Sequence, residues 1–425
     1  MRPVWRLLLA VSLPCAALAA DFPHWRGPTR NDHIAEDSGY QAKAWPLKTP
    51  IWKQNVGEGS TSPLVVDGKL YVLGWKQDRD TLHCLEAQTG QSVWTQSYES
   101  PRYARHATGD EGLYSGVTAT PEFDPATSLL YSLSTDGELR CWNTSDRGKL
   151  VWRKNLYDEY KMPQRPKIRR SGLRDYGYTS APLVHGDWLL VEVGGERGTV
   201  MAFDKRTGRE LWGSRHRGPA GHTGGLVPLS VEKIPCVAVL TLRELVVIRA
   251  DQAHAGETVA TFAWETDWAN NILTPTVCGD SLLVSSYHTH HAIARVRITL
   301  RGAEKVWQME QASSVGSPVV AGDKIYFGGQ KLYCLDARTG NLLWEGGEYG
   351  DGASILLTQD ERLIALGSNA RLTLVESAAR SPQKYVELAA HERVFRTDAW
   401  PHLVVAQGRL YAKDRVGNLQ CYSLR

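Results

Sequence analysis

Phenylalanine and methionine are scarce in this chain of 425 residues, 6 and 4 against 15 Trp, 17 Tyr and 39 Gly. That mixture argues against an all-helical protein, because large aromatics and glycine favour short strands and tight turns over Leu/Met-rich helical stripes. An excess of one charge is lacking too: 49 Lys and Arg face 46 acids, so nothing asks for bulk nucleic-acid binding. Beyond the first 20 residues no apolar run is long enough for a transmembrane helix. The chain has no Gly-x-x-x-x-Gly-Lys-Ser/Thr loop, no His-Glu-x-x-His and no Gly-x-Ser-x-Gly elbow, which removes the signatures of three large enzyme classes. Cys-x-x-Cys is absent, and with it the haem-attachment and zinc-ribbon readings. With 42% hydrophobic and 22% charged residues, a sizeable core is within reach and disorder is excluded.

What is present begins with a leader. Arg2 and Arg6 flank the start of an apolar stretch over residues 7–13, and Ala17-Leu18-Ala19 offers a small-x-small cleavage pattern. Residues 1–20 therefore read as a secretory signal peptide, and the mature chain is expected in a periplasm or outside the cell. Pro14 stands where lipid attachment at Cys15 would need a small residue.

A period appears when the chain is aligned on tryptophan. Leu82-His83-Cys84-Leu85-Glu86-Ala87-Gln88-Thr89-Gly90-Gln91-Ser92-Val93-Trp94 recurs in the stretches ending at Trp212 and Trp344. Looser copies end at Trp152, Trp264 and Trp307, and Trp52 and Tyr385 take the matching place in two degenerate ones. Upstream of each lies a second half of the Ser62-Pro63-Leu64-Val65-Val66-Asp67-Gly68-Lys69-Leu70-Tyr71-Val72 type, two apolar runs around an Asp-Gly turn. Such pairs are β-hairpins, since Asp and Gly tolerate the positive φ of a two-residue turn. Two hairpins per copy and eight copies predict an all-β, eight-bladed β-propeller of four-stranded antiparallel blades over residues 50–425, with residues 21–49 as an N-terminal extension. The N-terminal strand carrying Trp52 is expected to pair with the C-terminal strands and close the ring. The indoles should pack over neighbouring blades. Cys84, Cys141, Cys334 and Cys421 share one repeat position in separate blades, which leaves Cys236 and Cys278 as a pair that could bridge.

The Trp-ended Asp/Glu-x-x-Thr-Gly repeat resembles that of the PQQ-binding-like, quinoprotein alcohol dehydrogenase-like β-propellers. Residues 24–31, His-Trp-Arg-Gly-Pro-Thr-Arg-Asn, and residues 271–277, Asn-Ile-Leu-Thr-Pro-Thr-Val, resemble exported bacterial members. The resemblance implies one of two functions. One is a non-enzymatic interaction scaffold, like the outer-membrane assembly lipoprotein of the β-barrel machinery, which shares the fold. The other is a PQQ- and calcium-dependent periplasmic oxidoreductase acting on an alcohol or sugar, although the adjacent cysteines of that enzyme class have no counterpart here.

Antiparallel strand order puts the long insertions, residues 97–116, 156–178 and 286–291, on one face and the short turns on the other, and ligands bind on loops held by a rigid scaffold. The basic stretch 161–174 supplies Arg169, Arg170 and Arg174, either as a solvated loop or as a dock for an anionic ligand, a glycan or an acidic partner. Tyr178, His222, Trp268 and Asn270 precede first strands and should approach the axial mouth, where they would suit a sugar or planar cofactor. His288 and His290 share a strand face if the strand continues, yet two imidazoles fall short of the three or more ligands of a metal site. His106, Asp110 and Glu111, with Arg102 and Arg105, form a mixed-charge loop. No catalytic residue is assigned; a small molecule, a glycan or an envelope protein is the expected partner, and a monomer the expected state.

Overall fold

The computed structural model describes residues 20–41, 44, 45, 47, 49–110, 114–170 and 172–425. Residues 1–19, which hold Cys15 and most of the expected leader, and Glu111 lie outside the described residues. Within them the protein is all-β apart from one α-helix, Leu156–Tyr160, and a turn of 3-10 helix. The strands form six four-stranded antiparallel sheets and one eight-stranded sheet, whose two four-stranded halves are joined through the pair Gly328–Ala353. We number the four-stranded units by residue range: unit 1 (64–99), unit 2 (122–155), unit 3 (183–213), unit 4 (227–263), unit 5 (276–309), unit 6 (319–346), unit 7 (353–391) and unit 8 (404–423). Unit 8 supplies three strands of its own, and its fourth is Trp52–Asn55, paired antiparallel with Asn418–Ser423. First strands of units 2 and 3, 4 and 5, 5 and 6, 6 and 7, and 8 and 1 lie against one another.

The hairpins form where the turn residues allow it. Asp67 at φ 48° and Gly68 at φ 72° make the two-residue turn between the first strands of unit 1, the mirror-type turn whose twist suits an antiparallel pair. The second, third and fourth strands are held by a recurring ladder. Tyr71, Cys84 and Trp94 stand opposite one another, as do Tyr131, Cys141 and Trp152, Leu190, Ala202 and Trp212, Tyr326, Cys334 and Trp344, and Tyr411, Cys421 and Trp52. A small residue in the middle leaves room for two rings on either side. All six described cysteines are buried free thiols. The Cys236–Cys278 bridge therefore does not form: the two side chains belong to units 4 and 5, each packed in its own core.

Each indole reaches past its own sheet. A Cβ on Gly90 would lie 2.6 Å from the Trp52 ring, one on Gly148 2.5 Å from Trp94, one on Gly208 2.7 Å from Trp152 and one on Gly340 2.9 Å from Trp307. In every case the turn glycine belongs to the following unit, and the indole N–H of Trp52 donates to Ala87 O at 3.1 Å and that of Trp152 to Lys205 O at 3.1 Å. Gly90 (φ 70°) and Gly68 (φ 72°) share a backbone conformation, but nothing lies within 4 Å of a Cβ built on Gly68. Gly68→Ala should therefore cost only the left-handed strain, ~1 kcal/mol, whereas Gly90→Ala should cost ~2–4 kcal/mol because the Trp52 indole must also move. Urea midpoints of the two variants measure the difference.

Two of the matched aromatics do not occupy the ladder. Trp264 lies eight residues after its turn glycine, Gly256, where units 1, 2, 3 and 6 have the indole after four and unit 5 after five; Ala260 takes the register position opposite Val247. Two strand pleats further along, Trp264 instead meets His290, ring centroids 4.0 Å apart. Tyr385 precedes its strand, Glu387–His391. It packs on Trp344 at 6.0 Å, taking the place a turn glycine takes elsewhere.

Candidate functional site

The connections that carry the long insertions meet one another, Thr108 pairing with Asp175 and Asp267 joining Arg169 to Thr289, and their side is hereafter the loop-bearing face. Its dominant element is the strap of residues 156–178. Asn155 starts it by accepting the Asp158 N–H at 3.1 Å, capping the helix. Lys161, at φ 51°, ends the helix in the left-handed region and turns the chain back across the face. Arg165 then fixes the strap. It is 5% exposed; its guanidinium donates to Asp175 Oδ1 at 2.7 Å and to Ala220 O at 2.9 Å, and lies over the Tyr178 ring at 5.2 Å. Burial alone would raise the Asp175 carboxyl, but the Arg165 charge holds it below the usual carboxylate range.

This arrangement decides the fate of the basic stretch. Of its cations Arg165 is spent on Asp175, Arg169 pairs with Asp267 at 3.2 Å and Arg174 with Asp110 at 2.5 Å. Lys161, Lys167 and Arg170 stay exposed. The described residues of the segment are thus a strap pinned by three ion pairs, with a thinned positive surface. Arg174 also lies 4.8 Å over the ring of Trp268, which is 42% exposed.

The other expected residues divide between surface and interior. Tyr178 is buried, its hydroxyl donating to Val193 O at 3.1 Å. His222 is buried as well: its Nε2 accepts the Tyr176 N–H at 3.2 Å and its Nδ1 meets Ala269 O at 3.1 Å, the pattern of a neutral imidazole protonated at Nδ1. Burial, then the nearby Arg165 charge, pushes it down to about 3. Because the unfolded imidazole takes its proton near pH 6.5 and the folded one only near 3, His222 withdraws stability as pH falls through that window. His222→Gln should flatten the loss between pH 6.5 and 4 by about 1.4 kcal/mol per pH unit, read from denaturant midpoints at several pH values. Asn270 is half-buried in the loop ahead of unit 5, its N–H donating to Thr266 Oγ1 at 2.7 Å.

His288 and His290 do not share a strand face. The strand stops at Ser286, and the chain bends through Thr289 at φ 71° and His291 at φ 45°, conformations a continuing strand cannot hold. His290 Nε2 meets Glu265 O at 3.1 Å, and His288 packs edge-on to Tyr287. Among the described residues no group of three or more His, Cys, Asp or Glu is gathered for a metal ion. His106 caps the strap, with Nε2 3.3 Å from Met162 O, and Arg102 and Arg105 are paired with Glu58 and Asp136.

Three aromatic residues that sequence reasoning passed over complete the face. Tyr114 stacks on Trp400 with centroids 5.2 Å apart and meets Tyr176 edge-on at 5.6 Å. Arg415 lies 4.8 Å over Trp400 and 5.1 Å over Tyr114. The Tyr176 hydroxyl donates to Asp110 Oδ2 at 2.7 Å, and Asp110 holds Arg174 against Trp268. Arg415, Trp400, Tyr114, Tyr176, Arg174 and Trp268 thus make one strip of aromatic rings and guanidinium groups, brought together from the loops before units 2, 3, 5 and 8 and from a tight turn. No sequence period announces it. Beside it a cleft of about 330 Å³ opens between the strap and residues 217–220, lined by Tyr157, Met162, Pro163, Pro219 and Ala220.

The buried carboxylates of Asp175, Glu192 and Asp414 are committed to donors within the protein. Asp175 accepts from Arg165 and from the Gly177 N–H, and Glu192 from Ser180 and from the Gly221 N–H at 2.7 Å. Asp414 accepts from Asn418 and Thr397. Among the described residues no three such groups are gathered, so these do not fit the carboxylate and amide cluster that PQQ with calcium requires.

Repeat, ladder and sheet pairing define a PQQ-type β-propeller protein. The chain belongs to the PQQ_2 family, that of the outer membrane protein assembly factor BamB, which it matches over residues 48–113, 115–346 and 243–419. Among curated proteins it is similar to a quinoprotein ethanol dehydrogenase of Pseudomonas putida, 26% identical over 234 residues, which are 49% of this chain and 35% of that protein. A quinoprotein ethanol dehydrogenase of Pseudomonas aeruginosa is 27% identical over 48% of this chain and 34% of its own length. The chain thus spans about a third of the length of these relatives. Among solved structures, BamB from Moraxella catarrhalis superposes with a TM-score of 0.57 at 13% identity, over 88% of this chain and 99% of that one. Quinohemoprotein alcohol dehydrogenase from Comamonas testosteroni gives 0.65 at 13% identity, over 95% and 80%. These structural likenesses speak for the fold.

Proposed function

We propose that this protein is an exported, closed eight-bladed propeller that serves as a protein-binding scaffold at the bacterial cell envelope, with its partner on the loop-bearing face. The eight four-stranded units are the blades, Trp52–Asn55 closing the ring on the last of them, and residues 1–20 are the leader that directs the chain to the periplasm. The observation that carries the reading is the strip of Trp268, Arg174, Tyr176, Tyr114, Trp400 and Arg415. Tryptophan, tyrosine and arginine are the residue types that dominate binding energy at protein interfaces, and here internal contacts hold them in place while Trp268 and Tyr114 keep 42% and 36% of their surface exposed. Lys161, Lys167 and Arg170 beside the strip favour an acidic partner surface. The family's description as an outer membrane assembly factor agrees with a scaffold. No helix of the described residues is long and apolar enough to cross a membrane.

The second reading, a PQQ-dependent oxidoreductase, draws its support from the dehydrogenase relatives. Two measurements separate the readings. Photo-crosslinking residues placed at Trp268 and Tyr114 should give one discrete protein adduct in intact cells, and the same residue at Gln91, on the opposite face, should give none; no adduct from any position argues against the scaffold. Purified protein mixed with PQQ and calcium should show no bound-quinone absorbance and no dye-linked alcohol oxidation. Turnover would reverse the conclusion.

A further inference from the structure

Residues 21–38, outside the repeat, make contacts spread along nearly the whole described chain. Phe22 pairs through its backbone with Val65 of unit 1 in both directions, at 2.7 and 3.0 Å. Arg30 and His24 bind Glu122 of unit 2, a fully buried carboxylate that also accepts the Val184 N–H of unit 3 at 3.0 Å. Trp25 packs on Gly224 and Gly225 ahead of unit 4 and donates to Thr274 Oγ1 ahead of unit 5 at 2.9 Å. His33 Nε2 meets Val320 O of unit 6 at 2.9 Å, and Ile34 N–H donates to Leu357 O of unit 7 at 2.9 Å. Asp21 and Glu36 accept from Gln407 and the Gly408 N–H of unit 8.

At the centre sits a buried charge network. Arg26, 1% exposed, donates through Nε to Asp32 Oδ2 at 2.6 Å, through Nη1 to Thr276 Oγ1 at 2.8 Å and through Nη2 to Pro318 O. Asp32, fully buried, is met on its other oxygen by His402 Nε2 at 3.1 Å. One guanidinium and one carboxylate thus tie units 5, 6 and 8 together from inside.

The partners of this segment run from residue 65 to residue 408, and the Asp21–Gln407 contact spans 386 positions. Its contacts fall on or beside the first strands of units 1, 2 and 4 to 8 and reach unit 3 through Glu122, so the seat is complete only when the whole array is in place. A contact of such range is reached late, after the loop-closure cost of the whole array has been met.

We propose that residues 21–38 are a late-seating lock: a peptide ligand carried in cis, received by the convergence of the first strands, that sets the rate at which the folded array opens. It adds nothing to the rate of assembly, because its contacts are absent from the folding transition state, and stabilisation of that kind appears in the unfolding rate. It also shuts the turn-side entrance to the middle of the molecule, leaving the loop-bearing face as the open side. The inference stands on these contacts alone and does not depend on the scaffold reading.

Stopped-flow denaturant jumps test it. Arg26→Met should unfold at least about tenfold faster than wild type, with a refolding rate within about twofold. Refolding slowed by the same factor as unfolding is accelerated would place the segment in the folding nucleus and overturn the proposal. A second arm starts from the folded full chain, with a protease recognition sequence inserted between residues 41 and 44. After cleavage the N-terminal peptide should stay with the body through gel filtration, and a body refolded without it should form at the wild-type rate yet unfold faster. A peptide that washes away and leaves the unfolding rate unchanged would refute the lock.

Discussion

A chain that stops at Ala406 is expected to show no cooperative thermal transition. The cut removes the second and third strands of unit 8, Arg409–Lys413 and Asn418–Ser423, and leaves Trp52–Asn55 with nothing to pair with. Leu410, Tyr411, Leu419, Cys421 and Tyr422 are all buried in the core cluster that also holds Trp52, Leu70 and Leu85. Burying side chains of this size contributes ~1.5–3 kcal/mol each, so their loss approaches the ~5–15 kcal/mol by which a folded domain is stable at all. The junction between unit 8 and unit 1 goes as well, because the Tyr411 hydroxyl and the Trp52 indole both donate to Ala87 O, each at 3.1 Å. Lys413, wholly buried and pushed down to about 7 by burial, no longer donates to Gly59 O. Circular dichroism against temperature should give a broad, non-sigmoidal decline; a native-like melt from the shortened chain would mean that the first and last strands are not joined as described.

The second large effect is expected from Arg165→Met. Methionine keeps the bulk and removes the charge, leaving Asp175 buried without its cation. Breaking one side of a buried pair costs about 3–5 kcal/mol, well beyond what an exposed pair such as Arg215–Glu257 would lose. The pH dependence gives a check that a mere packing defect would not. In the wild type Arg165 holds the Asp175 carboxyl below the usual range, so that stabilisation is present above the unfolded carboxyl pKa, near 4, and is lost as pH falls through the lower folded value. In the variant the carboxyl rises and accepts a proton more readily. The deficit should be largest near neutral pH and narrow toward pH 4, as followed by urea titrations across that range; a deficit independent of pH would assign the loss to packing alone.

How far the sequence could be read depended on whether the information was local. The Asp/Glu-x-x-Thr-Gly turns and the indole that follows fix a strand pair by themselves, which is why the hairpins were legible, and the orphan strand carrying Trp52 pointed to its pairing with the last strand. Counting aromatics without counting their distance from the turn misplaced Trp264 and Tyr385. Periodic alternation placed His288 and His290 on one strand because nothing in the residue types announced a bend at Thr289. The strap was readable as a basic run, but the three acids that neutralise much of it, Asp175, Asp267 and Asp110, come partly from distant loops. Tyr114 meets Trp400 and Arg415 from hundreds of residues away, and no spacing rule reaches that far. The sequence block 24–31 stood out as a motif, whereas its contacts with nearly every unit could be seen only in three dimensions.

The indole-on-glycine contacts have an evolutionary corollary. Trp94 grips the turn of unit 2, Trp152 that of unit 3, Trp212 that of unit 4 and Trp307 that of unit 6, while Trp52 closes on unit 1. Every such module brings its own hook at one end of its segment and its own eye at the other, so a tandem gene duplication delivers a newcomer already compatible with both neighbours. Growth by whole modules needs no matching change elsewhere, and sequence drift inside one module is tolerated so long as hook and eye survive.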